Sequence, residues 1–192
     1  MNFYIADPLS NDTARVINNR LSTTGIVRTE EREASLEGDA FLVATGYITF
    51  TVATPIAMLY IKNNEDTDII IERFNANLED TTGGSASYGR FVFYRNPEGL
   101  TSGSPGPTIA NLNFGSSNVL DIDFEIGDGS TSTMTGGVAF GSPIIPIGQI
   151  TFINGNIVLP KGTAFGIAYI PPAGNTSQNV GLGLNVFKSI IE

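Results

Sequence analysis

Hydrophobic and polar residues alternate with a period of two along much of the chain after residue 40, which is the pattern of β-strands that bury one face. The predicted strand at residues 41–52 shows it most clearly over residues 47–52, where β-branched and aromatic side chains alternate with threonine, and Gly46 within the run predicts a β-bulge. The other predicted strands span residues 56–62, 68–78, 88–95, 119–126, 149–153, 157–159, 163–170 and 180–187. No segment after residue 40 has a helical period, so the pattern predicts an all-β domain.

Small and polar residues mark the turns between these strands. The polar cluster at residues 63–66 joins two predicted strands and indicates a hairpin, and the Asn154-Gly155 step is a strong hairpin signal. The connection at residues 96–118 is rich in glycine, proline and serine, and loops of that length are usually functional or make contacts. Residues 127–137 form a second loop of small residues.

About eight short strands with two long connections predict an antiparallel jelly-roll β-sandwich with an N-terminal arm, the sandwich covering residues 40–192. A plain up-and-down barrel is disfavoured, because it is built from tight hairpins rather than long connections. An immunoglobulin-type sandwich is the alternative, although the chain lacks the cysteine and tryptophan marks of that family. Residues 1–39 are polar and charged and form the predicted arm. Within it, Ser10 is a candidate cap for a short helix that ends by Thr24-Gly25.

Three residue types are missing from the 192-residue chain: cysteine, histidine and tryptophan. Without cysteine and histidine there is no Ser-His-Asp triad, no cysteine nucleophile and no thiolate or imidazole zinc site. Disulfides are also impossible, so the fold depends on packing or on subunit association. No phosphate-binding glycine loop or nucleophile elbow is present either. The composition therefore predicts a protein that is not an enzyme.

The net charge of −9 argues against a nucleic-acid partner, because the ten Lys and Arg residues are scattered rather than clustered. A membrane partner is not expected, since no apolar run reaches the roughly 18 residues of a transmembrane helix. Residues 1–9 contain Asp7 and Pro8 and do not resemble a signal peptide, which predicts a chain made in the cytoplasm.

The charges are distributed unevenly, and this predicts a contact surface. After Asp128 no acidic residue occurs until Glu192, and only two basic residues stand between them. The last two strands carry apolar residues on one face and small or uncharged residues on the other, which suits burial against another subunit. A neutral outer surface of the kind found in extracellular and viral β-proteins is the alternative. The predicted interface residues are Phe165, Ile167, Tyr169, Leu182, Leu184 and Val186.

Three carboxylates, Asp121, Asp123 and Glu125, alternate along one predicted strand and are the candidate site residues. They are interpreted first as the solvent face of the strand, with the apolar residues between them entering the core. A second hypothesis is a Ca²⁺ site, although the EF-hand pattern is not met because Ile126 stands where its glycine belongs. A third is a carboxylate pair of a glycosidase. No other cofactor is predicted.

Exposed aromatic residues are a further candidate feature, because they can stack on sugars. The tyrosines on predicted strands are Tyr47, Tyr60, Tyr88, Tyr94 and Tyr169. Tryptophan, the strongest stacking residue, is missing, and most of these tyrosines are interpreted as half-buried core or interface residues.

Residues 157–177 (IVLPKGTAFGIAYIPPAGNTS) resemble the closing strands of jelly-roll virion proteins from tailed bacteriophages. Residues 59–64 (LYIKNN) with residues 68–72 (DIIIE) are similar to the central hairpin of those proteins, and the resemblance covers roughly residues 36–188. It implies a virion structural protein, typically a homotrimeric capsid decoration or head-fibre component. The implied partners are further copies of the chain and the major capsid protein or another virion protein, with the arm as the docking segment. The alternative is a tail-associated receptor- or glycan-binding module.

Overall fold

The computed structural model describes residues 3–6, 13–17, 20–23, 29–51, 54–80, 88–146, 150–172 and 177–189. The first strands form one antiparallel sheet: β1 (Phe3–Ala6), β2 (Thr13–Ile17) and β3 (Arg20–Thr23). The later elements, in chain order, are α1 (Glu30–Glu37), β4 (Ala40–Phe50), β5 (Ile56–Asn63), β6 (Ile69–Asp80), β7 (Tyr88–Leu100), β8 (Ser104–Pro105), β9 (Ala110–Asn111), β10 (Ile122–Ile126), β11 (Met134–Gly141), β12 (Ile144–Pro146), β13 (Ile150–Leu159), β14 (Ala164–Ile170) and β15 (Gln178–Lys188).

The strands after α1 form two antiparallel sheets that pack face to face. The five-stranded sheet has the order β13-β6-β15-β4-β9. The seven-stranded sheet has the order β11-β7-β14-β5-β10-β8, and β12 also pairs with β7. The predicted all-β sandwich is confirmed, while the jelly-roll connectivity stays a prediction.

The core lies between the two sheets because each sheet turns an apolar face inward. In β6, Phe74 and Leu78 are buried, whereas Asn75 and Asn77 lie on the outer face. The ring of Phe74 meets that of Phe91 from the seven-stranded sheet edge to face, with centroids 5.4 Å apart. The alternation read from the sequence is therefore the alternation between core and outer face.

The bulge predicted at Gly46 is present in β4. Gly46 has a φ of +68°, and the pairing with β15 shifts there, from Leu182 opposite Gly46 to Gly183 opposite Ala44. The extra residue is Thr45, and its hydroxyl oxygen accepts a 3.1 Å hydrogen bond from the Leu182 amide of β15. Glycine is suited to this position because it adopts a positive φ at little cost.

The hairpin predicted at residues 63–66 is wrong, because β5 and β6 belong to different sheets. The connection is a corner between the layers, and it is organised by the fully buried Asn63. Its amide Nδ2 donates to the carbonyl oxygens of Thr67 (2.9 Å) and Leu159 (2.8 Å). A polar turn is needed both in a hairpin and in a corner between sheets, so the local signal does not distinguish them.

The hairpin predicted at Asn154-Gly155 is also wrong. Strand β13 runs through this step without reversing and pairs with β6 along its whole length. The register shifts between Asn154 and Ile157, so the step forms an irregularity within one strand. The two shorter strands predicted at 149–153 and 157–159 are thus one strand, β13. Asparagine and glycine tolerate the unusual backbone of a bulge as well as that of a tight turn.

The short helix predicted after Ser10 is wrong in its described part, which contains strands β2 and β3. Ser10 itself and the predicted end at Thr24-Gly25 lie outside the described residues. The apolar spacing that suggested a helix was weak, and β2 contains the β-branched residues Thr13, Val16 and Ile17, which favour strands.

Helix α1 falls within the predicted arm and packs against the sandwich. Thr29 caps its first turn, and Gly38 ends it with a φ of +84°. The fully buried Ala34 contacts Ala40 and Phe187 and ties the helix to β4 and β15. The boundary between arm and domain at residue 39 stays a prediction.

Candidate functional site

The carboxylates predicted as a calcium site are bound separately rather than gathered around one point. Asp123 Oδ1 accepts a hydrogen bond from Asn64 Nδ2 (2.9 Å), and Glu125 Oε2 accepts one from the Leu100 amide (3.2 Å). Asp121 lies just before β10. In the described part of the chain no group of three or more acidic residues is placed to hold a metal ion. The carboxylates of Asp123 and Glu125 thus have separate structural partners, and the calcium site stays a prediction.

The side-chain directions along strand β10 agree with the interpretation of these acids as the solvent face of the strand. Asp121 and Asp123 are exposed. The apolar residues between the acids pack against the core: Ile122, Phe124 and Ile126. Glu125 lies opposite Tyr60 in the ladder, and burial, followed by the charges of Asp123 and Glu125, raises the pKa of the Tyr60 hydroxyl. The acids thus form the outer face of the seven-stranded sheet.

The apolar residues predicted as an oligomer interface lie inside the single chain. All are at most 3% exposed and belong to the core between the two sheets: Phe165, Ile167, Tyr169, Leu182, Leu184 and Val186. They are already covered by the opposite sheet, so they cannot be the surface that a second subunit contacts. The prediction is corrected, because the apolar face of a strand in a β-sandwich packs against the other sheet of the same chain.

The small residues on the other face of these strands are covered as well. A side chain at Gly166 would meet Met134 Cε at 2.6 Å, and one at Gly183 would meet Asn75 Oδ1 at 2.6 Å. Larger side chains of neighbouring segments therefore occupy the space above the glycines. Ala164 and Ala168 of β14 are buried too. At Gly166 and Gly183 the small outer faces therefore receive side chains of the same chain.

An apolar groove opens instead at the edge of the sandwich formed by β11 and β13. It has a volume of about 410 Å³ and is lined by residues of both sheets: Arg95, Asn96, Phe140, Ile157, Val158, Leu159, Pro160, Thr163, Ala164 and Phe165. Phe140 is 53% exposed and Val158 50% exposed. Val138, also on β11, is 68% exposed. We call this feature the edge groove.

The sequence reasoning missed the edge groove because it assigned no element to residues 138–148, which contain Phe140. Residues 134–141 form strand β11, although glycine and threonine dominate its beginning. The only signal was the pair of large apolar residues, Val138 and Phe140, in an otherwise small-residue segment. Such exposed apolar patches mark contact sites more often than isolated exposed residues do.

A tight loop after β10 is organised by the side chain of Asp128. Its Oδ1 accepts hydrogen bonds from the backbone amides of Ser130 (2.9 Å), Thr131 (2.8 Å) and Ser132 (2.9 Å), and Oδ2 accepts one from the Thr131 hydroxyl. Burial acts to raise the pKa of Asp128, but these hydrogen bonds together lower it well below its usual value. The ionised carboxylate is thus the form that holds the loop.

We expect Asp128→Asn to lower the free energy of unfolding by about 1–2 kcal/mol near pH 7, because hydrogen bonds to a charged acceptor are replaced by weaker ones. The folded-state pKa is depressed, so this stabilisation is present above the unfolded pKa near 4 and is lost as the pH falls below it. Urea titrations of both proteins from pH 7 to pH 2.5 measure the difference, which should shrink towards acid pH. The exposed Asp123→Asn serves as control and should change stability little. A difference that is constant with pH would contradict the role of the charge.

One aromatic ring lies open on the outer face of the five-stranded sheet. Tyr47 of β4 stands opposite Gly181, which in turn stands opposite Asn77 of β6. The ring lies across the glycine, and its hydroxyl accepts from Asn77 Nδ2 (2.6 Å) and donates to Glu79 Oε1 (3.0 Å). The hydrogen bond to Glu79 raises the pKa of Tyr47. The residue remains 56% exposed, so a fixed ring faces solvent.

No model of a known protein family matches the chain. No curated protein matches it either. Within the described residues no helix has both the length and the apolar character needed to span a membrane.

Proposed function

We propose that this chain is a non-enzymatic virion structural protein, a homotrimeric capsid-decoration or head-fibre component of a tailed bacteriophage. The observation that carries the assembly part of the proposal is the edge groove, where Phe140 and Val158 leave about half of their surface in solvent. Apolar surface of this kind is stabilised by burial against another protein. The resemblance of residues 157–177 to phage virion proteins supports the assignment to a phage virion.

The charge distribution also supports an assembling protein. None of the residues that line the edge groove is acidic, and the chain has no acidic residue between Asp128 and Glu192. A surface with few charges loses little hydration when a partner covers it. The carboxylates that suggested catalysis, Asp123 and Glu125, instead bind Asn64 and the Leu100 amide.

Light scattering of the purified chain tests the proposal. We expect a particle of about three times the 20.4 kDa mass of one chain at micromolar concentration. A monomer throughout that range would overturn the homotrimer. Mass spectrometry of virions from the phage whose genome encodes the chain is expected to detect its peptides, and their absence would overturn the virion assignment.

A second candidate function is a receptor- or glycan-binding module, and the open ring of Tyr47 favours it. Sugars stack on aromatic faces, and the amide beside the ring, Asn77, is able to donate and accept hydrogen bonds. A glycan array separates the candidates, because the structural protein should bind no glycan specifically. If a glycan is bound, Tyr47→Ala should abolish the signal, while Tyr88→Ala, which removes another half-exposed tyrosine, should not.

A further inference from the structure

A fully exposed phenylalanine stands on the loop that follows β9. Phe114 is 95% exposed, the highest value among the described large hydrophobic residues. The loop beside it is held in place by Asn113, whose Oδ1 accepts from the Gly115 amide (3.1 Å) and whose Nδ2 donates to the Leu36 carbonyl of α1 (3.0 Å). The ring is therefore presented to solvent by an ordered turn, which we call the Phe114 loop (residues 112–118).

The base of the Phe114 loop is fixed by further hydrogen bonds to the end of α1. Asn111 Nδ2 donates to the carbonyl oxygens of Gly38 (2.8 Å) and Asn118 (3.0 Å). Asn118 Nδ2 donates to Asp39 Oδ1 (3.1 Å). A loop held at both ends loses little conformational entropy when its tip is covered, and such preorganisation favours binding.

The edge groove and the Phe114 loop lie at opposite edges of the sandwich. The groove lies beside β13, the first strand of the five-stranded sheet, and the loop follows β9, the last strand of that sheet. Four strand spacings separate them, which is about 19 Å. Phe114 therefore does not reach the groove of its own chain.

The two features are both apolar and carry opposite charges beside them. The exposed apolar residues of the groove are Phe140 and Val158, and its volume of about 410 Å³ is enough for an aromatic side chain. Its lining carries a cation, Arg95, and no acidic residue. The Phe114 loop is bordered by one acidic residue just after α1, Asp39, whose carboxylate accepts a hydrogen bond from Asn118.

We propose that Phe114 of one copy inserts into the edge groove of a second copy of this chain. This inference rests on the homo-oligomer of the proposed function and names the contact that builds it. Because the groove and the Phe114 loop lie at opposite edges of the sandwich, the contact joins the copies head to tail. A head-to-tail contact repeats into a closed ring where the rotation between copies closes and into an open filament where it does not, and the trimer of the proposed function is the closed case.

Substitutions of two exposed residues test the contact. Phe114→Ser removes the inserted ring, and Val158→Glu places an acidic group in the groove. Each is expected to raise the concentration at half assembly by about 30-fold or more, as for a central interface residue, and to yield a monomer at micromolar concentration by light scattering. Tyr47→Ser, on the outer sheet face, is the control and should remain a trimer. Circular dichroism should show that all three variants keep the β-sheet spectrum of the unmodified chain.

Mixing the two variants gives the sharpest result. In an equimolar mixture, the intact Phe114 of the Val158→Glu variant can insert into the intact groove of the Phe114→Ser variant. The reverse contact cannot form, because it lacks both the ring and an apolar groove. We expect a one-to-one dimer that does not grow into a trimer. A mixture that stays monomeric would overturn the pairing, and so would variants that remain trimeric by themselves. If the unmodified chain is a monomer, the homo-oligomer itself fails; if it is a trimer that both variants leave intact, only this contact fails.

Discussion

Replacing Gly129 with alanine is expected to lower the free energy of unfolding by about 2–5 kcal/mol, the sum of two separate costs. Gly129 has a φ of +78°, a conformation that costs other residues about 1–2 kcal/mol. The added Cβ would also lie 2.1 Å from the Thr49 carbonyl oxygen of β4. Relief of that contact requires the backbone to shift, and overpacking of this kind costs about 1–3 kcal/mol.

Gly162 provides a matched control for this prediction. Its φ is +77°, yet no atom lies within 4 Å of the position its Cβ would take. Gly162→Ala should therefore show the conformational cost of about 1–2 kcal/mol alone. Chemical denaturation of both variants measures the two values. Equal losses at the two positions would show that the close approach of Gly129 to β4 contributes nothing.

Truncation of Tyr169 to alanine should cost about 3–5 kcal/mol, because it removes a fully buried aromatic side chain from the centre of the core. Its ring meets Phe50 of the other sheet at a centroid distance of 4.9 Å and Phe91 at 5.2 Å. The hydroxyl bonds Gln178 Oε1 across the two sheets. Burial raises the pKa of Tyr169 above its usual value, so the hydroxyl remains a donor at ordinary pH.

The hydroxyl contribution is separated by a double-mutant cycle with Gln178, which is 1% exposed. Tyr169→Phe leaves the buried Gln178 without its donor and should cost about 1–3 kcal/mol. Adding Gln178→Leu removes the unpaired amide, so the double variant should be more stable than the sum of the single losses predicts. Strictly additive losses by thermal denaturation would contradict a direct contribution of this hydrogen bond.

The strands of the sandwich were predicted well where alternating or continuous apolar residues were bounded by turn residues. Strands β4 to β7, β10, β14 and β15 occur at the predicted places, with ends shifted by a few residues. Strand β11 was missed because Gly136 and Gly137, both with positive φ, and their small neighbours hide the alternation. The bulge at Gly46 was predicted, since a glycine inside a run of β-branched residues often marks a bulge.

The candidate site was predicted less well, because exposure depends on what covers a side chain. Phe165 and Tyr169 were assigned to a subunit interface, but the opposite sheet covers them. Phe114 lies in a segment interpreted as a loop and Phe140 in one that received no assignment, and nothing in their local pattern distinguishes an exposed phenylalanine from a buried one. Only contacts between residues distant in sequence make that distinction.

The sequence by itself determined the all-β class, the strand faces and the chemistry that is impossible without cysteine and histidine, because these follow from local periodicity and composition. The tertiary structure decided which sheet each strand joins, as the corner at Asn63 shows. It also decided that an apolar groove and an exposed Phe114 lie at opposite edges of one sandwich. The physical reason is that strand pairing and side-chain burial depend on partners far along the chain, which no local pattern specifies.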